Sequence, residues 1–313
     1  MKMRTSERLS YCTELSQSLH NLYLNLDLLG IEDSASREAL SMQIIDSVRR
    51  VEYVNLIRGK SLTVKSVANP SEGHFNPIKY ASALANSGNL DEASWLVFLI
   101  SHFNKNSKDG WDTVRNVYNM AGAGIFSWKM VSSNYGHAAN WLENNYQNLN
   151  INFGNHRKYE SKRIGSKNSI IDIFKSYVDM IVEFGSHKNF YSSIYNESEY
   201  DRAINFALLY EKMHSVKRFG RTAKFDHICL LGKLGIFDAE PSHCYLKGAT
   251  GPARGVNLLV NGDPNISVEQ VHADNVLNEL AEQLPIKSFK MQILEDSICN
   301  WQKNPRIYEK FNL

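Results

Sequence analysis

The sequence predicts an all-α protein, and three observations carry that expectation. Apolar residues recur at three- and four-residue spacing through nearly every segment, which is the pattern of a helix face meeting a core. Strand-like alternation is scarce, with Ser61-Leu62-Thr63-Val64 its best short example. Helix start and stop signals punctuate the periodic stretches at helix-length intervals.

Taken in order, residues 6–29 and 34–58 are periodic and run into Gly30 and Gly59, residues that close helices readily. A helix is expected at 76–87. Asn89-Leu90-Asp91-Glu92 reads as a capping box, in which Asn89 accepts from a free backbone N–H and Glu92 reaches back. The helix it opens, through about Phe103, is apolar almost all round and therefore expected to be buried. Asn196-x-x-Glu199 and Ser267-x-x-Gln270 repeat the signal, which sets helices over 197–216 and 267–283. Periodicity predicts others at 110–119, 136–147, 168–184, 221–234, 252–261 and 288–303. Residues 59–76 are rich in Gly, Ser, Asn and Pro and read as a linker. The expected division is an N-terminal helical pair at 1–60 and a larger helical domain at 61–313.

The 313 residues are 43% hydrophobic and 22% charged, enough to bury a sizeable core. Four cysteines are scattered without a CxxC pair, which gives no disulfide framework or zinc cluster and suits a reducing cytoplasm. The stretch MKMRTSERLSYC lacks the apolar core of a signal peptide. The run Trp95 to Ile100 is far shorter than the roughly 20 apolar residues of a membrane span. The expectation is a cytoplasmic protein without a membrane partner. The formal net charge is +2, yet residues 151–260 carry a basic excess and the remainder is slightly acidic. Basic residues concentrate from Arg157 to Lys167 and from Lys212 to Lys224; each cluster suits either phosphates or a solvated helix face.

The phosphate-loop, nucleophile-elbow and zincin patterns are all missing, and the histidines are dispersed, so neither a metal nor a cofactor is expected. Four segments carry polar chemistry. FGNHRKYESKR (153–163) gathers Asn155, His156, Arg157, Lys158 and Glu160 around Tyr159, as an anion-binding wall or a solvated loop. In RTAKFDHICLLGKL (221–234), apolar residues cover most of the helix while Thr222, Asp226 and Lys233 share a narrow stripe. A carboxylate there either pairs with Arg221 or Lys224 or lines a cleft partly stripped of water. KGATGPARG (247–255) is a glycine-rich turn with Pro252 at a helix start; such a turn either offers free N–H groups to a phosphate or simply caps a helix. In MQILEDSICNWQKNP (291–305), Gln292, Asp296, Asn300 and Lys303 oppose an apolar face, in contact with solvent or with a base edge.

FGNHRKYES (153–161), FGRTAKFDHICLLGKLGI (219–236), EPSHCYLKGATGPARGVNLLV (240–260) and LEDSICNWQKNP (294–305) together resemble the signature blocks of one family. It is the alpha-glutamyl/putrescinyl thymine pyrophosphorylase family, clade three. DEASWLVFLISHF (91–103) resembles its upstream block. The resemblance covers roughly residues 76–313 and leaves the first 60 aside. It implies an all-α, helical DNA-glycosylase-like fold related to helix-hairpin-helix glycosylases, here with an additional N-terminal helical pair. It also implies an association with phage DNA carrying hypermodified bases, which relatives either build or excise.

The function expected on this resemblance is a DNA glycosylase that removes a hypermodified pyrimidine, such as glucosylated hydroxymethylcytosine, from phage DNA in antiphage defence. The alternatives are a transferase displacing pyrophosphate from an activated pyrimidine, and a non-enzymatic module that binds modified DNA. Asp226 is the first expected catalytic carboxylate and Asp296 the second, with His156 assisting. Asp274 is a third candidate, because helix-hairpin-helix glycosylases place their aspartate at a similar distance beyond the glycine turn. Phosphate contacts are expected from Asn155, Arg157, Lys158, Arg221, Lys224, Gly248, Thr250, Gly251 and Arg254. Tyr159, Glu160, Tyr245 and Asn300 are expected around the extruded base.

Overall fold

A computed structural model describes residues 5–154, 164 and 169–310. Its helices are α1 (Thr5–Leu26), α2 (Ser34–Arg58), α3 (Pro77–Asn86), α4 (Leu90–Phe103), α5 (Asp112–Tyr118), α6 (Trp128–Ser133) and α7 (Tyr135–Asn145). They continue as α8 (Ile170–Val182), α9 (His187–Ser198), α10 (Arg202–Lys212), α11 (Arg221–Leu234), α12 (Gly251–Asn261), α13 (Gln270–Gln283) and α14 (Lys290–Trp301). No strand forms among the described residues, so the protein is all-α. The strand-like Ser61–Val64 instead leads into a 3₁₀ turn at Val64–Ser66, where the Thr63 N–H donates to Ser66 Oγ.

Chain contacts divide the protein into two units, Met1–Tyr53 with Pro241–Asn312, and Val54–Glu240. The division falls inside α2 and not in the expected linker at 59–76. The reason is visible in the first unit, where the N-terminal helices share a core with the C-terminal ones. Arg8 and Tyr308 both hydrogen-bond Asp46, and Arg50 pairs with Asp296. The N-terminal pair is therefore part of a unit, not an extension at 1–60.

In this first unit α12 is gripped on two sides through glycines. A Cβ on Gly30 would stand 2.1 Å from Leu258 O, and one on Gly255 would stand 2.5 Å from Ile298 O. Backbone meets backbone there, which only glycine permits. The second unit is built on α4, whose residues from Glu92 to Phe103 are all buried, as its all-round apolar sequence predicts. Trp95, Phe98, Phe174 and Tyr177 pack face and edge around it, with the Phe98 and Tyr177 rings stacked at 3.9 Å.

Two buried polar networks fasten α4 to its neighbours. Glu92 accepts from Tyr118 Oη at 2.7 Å and from the Trp128 N–H at 2.8 Å, and burial pushes its carboxyl above the ordinary value. Asp91 accepts from the backbone N–H of His187 at 2.7 Å and lies 2.8 Å from His187 Nδ1; His187 Nε2 lies 2.9 Å from Tyr177 Oη. That arrangement suits a neutral imidazole donating to Asp91 and accepting from Tyr177.

Burial lowers the His187 pKa below its ordinary 6.5. Despite some desolvation, hydrogen bonds from His187 hold Asp91 below 3.8. Both shifts act in one direction. As pH falls below 6.5 the unfolded chain takes up a proton that folded His187 resists, and near and below pH 3.8 the same holds for Asp91, so stability drops on acidification. Thermal melts from pH 7.5 to 5 should show a falling Tm with a shallower slope in His187→Gln; an equal slope would remove this network as a cause.

Candidate active site

The glycine-rich segment between Glu240 and α12 folds as a tight turn. The Ala249 N–H donates to Leu246 O at 2.8 Å, and Gly248 takes a left-handed φ of +77° with open space where a side chain would stand. Thr250 precedes α12 without capping it through its side chain, Pro252 occupies the first turn, and the Arg254 N–H bonds back to Thr250 O. The start of α12 thus leaves backbone donors exposed beside Lys247, Thr250 and Arg254, all exposed themselves. Arg254 also donates to Asn265 Oδ1 at 2.9 Å, which ties the loop after α12 to the helix.

The glycines do not all serve this turn. A Cβ on Gly251 would stand 2.5 Å from Cys299 Sγ, so Gly251 and Gly255 admit α14 against α12 and are not shaped for a phosphate. Only Gly248 is a turn glycine.

Upstream of the turn, Tyr245 adopts φ +49°, a left-handed conformation uncommon for a bulky residue and held only where the surroundings impose it. Its ring lies 4.0 Å from the His243 ring. His243 in turn sits in the field of Asp274, on the second turn of α13. Asp274 Oδ2 accepts from Gln270 Nε2 at 2.9 Å. Its other oxygen, Oδ1, is buried without a hydrogen-bond partner among the described residues, and so is His243 Nδ1. Burial pushes the His243 imidazole below its usual value while the Asp274 charge pulls it partly back. A carboxylate and an imidazole thus each keep one buried atom without a partner among the described residues, a condition that calls for an explanation.

The other carboxylates are placed differently. Asp296 accepts from Ser47 Oγ at 3.0 Å and Arg50 Nε at 3.1 Å, and lies in a close ion pair with the Arg50 guanidinium. Its helix neighbour Asn300 is buried and donates to Asp296 O at 3.0 Å, while Asn300 Oδ1 accepts from Lys303. Asp296 is thus occupied in fastening α14 to α2, while Asn300 bonds along its own helix and to Lys303. Of the row expected to face solvent or a base edge, Asp296 is held by α2, while Lys303 is exposed and lines a shallow groove with Asn300.

Asp226 belongs to the second unit, on α11. It is half-exposed and makes no ion pair or hydrogen bond among the described residues, so neither expected partner, Arg221 or Lys224, neutralises it. Arg221 lies over the Phe225 ring at 5.0 Å and Lys224 over the Tyr210 ring at 4.2 Å. Asn155, His156, Arg157, Lys158, Tyr159 and Glu160 lie outside the described residues. The start of their segment is anchored to the end of α4: the Gly154 N–H donates to Phe103 O at 2.8 Å, Asn106 Nδ2 donates to Phe153 O, and Phe153 stacks on Phe103.

His243 is the residue that sequence reasoning missed. Its signal was its place three residues into the block EPSHCYLKG, two before Tyr245. A groove of about 200 Å³ in the same unit, lined by Tyr11, Val48, Glu52, Pro285, Lys287 and Ile293, contains none of these groups.

With this geometry in place, comparison with known families is decisive at one level. The model for alpha-glutamyl/putrescinyl thymine pyrophosphorylase clade 3 matches residues 35–313, and the chain belongs to that family. The match begins at the start of α2, so α2 is part of the family's own structure and not outside it. Comparisons with curated proteins and with solved structures found no match. No helix of the described residues is long and apolar enough to cross a membrane.

Proposed function

We propose that the protein is an enzyme of modified-DNA chemistry, a DNA glycosylase that excises a hypermodified pyrimidine from phage DNA, with Asp274 and His243 at the reacting centre. The observation that supports this reading is the pair of buried, unpartnered atoms, Asp274 Oδ1 and His243 Nδ1, in one unit with an exposed glycine turn and its basic residues. The target nucleotide leaves the stack, because its glycosidic carbon is unreachable inside a duplex, and extrusion costs a few kcal/mol. The turn around Gly248 and the first turn of α12, with Thr250 and Arg254, hold the flanking phosphates, which makes binding fall steeply with salt. As the bond from C1′ to the base nitrogen breaks, its electron pair leaves with the base and positive charge develops on the sugar. The Asp274 carboxylate stabilises that charge. Water then adds its oxygen to C1′ and gives up a proton, which His243 accepts when neutral; the departing base is protonated from solvent. Tyr245, held in its constrained conformation beside His243, offers a ring face for the extruded base.

The family's description favours a second reading, a transferase that displaces pyrophosphate from an activated thymine derivative. The two differ in product. Incubating the full chain with modified and unmodified phage DNA and analysing it by mass spectrometry should yield free modified base and abasic sites from the modified DNA alone. Released pyrophosphate with a heavier base, and no abasic sites, would establish the transferase; specific binding with neither product would establish a non-enzymatic module.

A further inference from the structure

The groove in the first unit is built from α1, α2, the α13–α14 connection and α14, and its volume is about 200 Å³. Val48 and Val51 on α2, Ile286 in the connection and Ile293 on α14 form its apolar floor. An apolar hollow of about 150 Å³ accepts one benzene ring, so this one has room for a single ring or a branched aliphatic chain. The connection is tightly built: the Ile286 N–H donates to Leu284 O at 2.7 Å, and the buried Phe289 is left-handed at φ +50°. This wall is set before a ligand arrives, as in most small-molecule sites.

The rim carries charges of both signs. Glu52 follows Val48 and Val51 at helical spacing, which sets a carboxylate beside the valine stripe. Lys287 lines the same groove from the connection. Both are exposed, and neither makes an ion pair or a hydrogen bond among the described residues, with each other or with a third group. A surface pair that did meet would gain at most about 1 kcal/mol, so both charges remain available to a ligand. Tyr11, on α1, spends its one proton on Pro285 O at 2.7 Å. Burial, then the fields of Glu14 and Glu52, push its phenol up to about 12, so the proton stays and the oxygen is left as an acceptor. One part of the rim thus accepts hydrogen bonds in a negative field, and another carries an ammonium.

We propose that this groove binds a free α-amino acid with an apolar side chain. The side chain lies on the valine and isoleucine floor, the ammonium meets Glu52 and the Tyr11 oxygen, and the carboxylate meets Lys287. Charges of both signs around one small apolar hollow fit a zwitterion better than its rivals. A nucleotide brings phosphate charge against Glu14 and Glu52, and a fatty acid leaves Glu52 without a partner. The groove holds neither His243 nor Asp274, and the inference does not depend on which reaction the family centre performs.

The test is calorimetric titration and thermal melting of the full chain, with L-leucine and L-phenylalanine as probes. At least one should bind and raise the Tm, since a ligand that binds only the folded chain stabilises it. Three relatives of the responsive amino acid each lack one contact: its N-acetyl form lacks the ammonium, its amide lacks the carboxylate, and glycine lacks the side chain. Every one should bind at least about tenfold more weakly, a loss of about 1.4 kcal/mol. Glu52→Gln and Lys287→Gln change exposed residues, so they should keep the Tm of the ligand-free protein and weaken binding by the same factor. A wild type indifferent to both amino acids would overturn the proposal. So would N-acetyl or amide forms that bind equally well, glutamate bound more tightly than either probe, or variants with unchanged affinity. If a variant does not fold, the altered ligands decide the matter on the wild-type chain. None of these readouts involves DNA or base release, so they stand apart from the fate of the glycosylase reading.

Discussion

Asp274→Asn should slow base release by roughly 10²- to 10³-fold while leaving DNA affinity unchanged, the range expected when one group that stabilises transition-state charge is lost. The substitution is nearly isosteric, and the asparagine carbonyl can still accept from Gln270. What disappears is the negative charge facing the sugar as it becomes cationic. His243→Gln should have a smaller effect and should lose the acidic limb of the pH–rate profile, which the depressed imidazole pKa places below 6.5. Single-turnover rates read beside binding isotherms separate these roles. Asp296→Asn should behave in the opposite way, lowering Tm because Arg50 loses its counter-charge, with the rate per folded molecule preserved. An Asp274→Asn protein with full activity would move the chemistry elsewhere, and Asp226, a carboxylate of α11 without a partner among the described residues, would be the next to test.

The largest stability effect is expected at Gly255. A Cβ there would meet Ile298 O at 2.5 Å, a contact with backbone that no side-chain rotation relieves. Gly255→Val should therefore force α12 and α14 apart, at a cost of about 3 kcal/mol or more. That is a large share of the 5–15 kcal/mol that typical domains possess. Chemical denaturation of the variant checks it: a midpoint equal to that of wild type would mean the helices separate without penalty. Gly248→Ala, at a left-handed position with open space around it, should cost far less, about 1 kcal/mol.

Most helices were legible because their signals are local. Apolar periodicity and flanking glycines placed α2 and α11 with their observed limits, and Asn89 caps α4 as read, accepting from the Glu92 N–H. The other half of that capping box failed. Glu92 turns inward to Tyr118 and Trp128, a tertiary demand that the four-residue pattern does not encode. The Asn196 start signal was misleading for a related reason. Asn196 lies inside α9, which ends at Ser198 and is followed by Glu199 and Tyr200, both left-handed without being glycine, and Asp201 is the residue that caps α10. The helix at 267–283 begins later, at Gln270, which moves Asp274 from mid-helix to the second turn.

The site was only partly legible, because function rests on which polar groups lack partners. Asp226, Asp274 and Asp296 all sit in otherwise ordinary helical sequence. Asp296 is neutralised by Arg50, far away in the chain, while Asp274 keeps one oxygen dry and unused. Periodicity records the face on which a residue lies and says nothing of its distant partner. The glycines of 248–255 show the same limit: their spacing suggested phosphate approach, and two of them instead admit a neighbouring helix.

The most direct measurement is a crystal structure of the full chain with duplex DNA carrying a cationic pyrrolidine in place of the target sugar. The account predicts an extruded nucleotide with the pyrrolidine nitrogen within roughly 3 Å of an Asp274 carboxylate oxygen, hydrogen-bond distance for a charge-assisted contact, and His243 next to it. A nitrogen held by Asp226 or Asp296, or a nucleotide left stacked in the duplex, would contradict it.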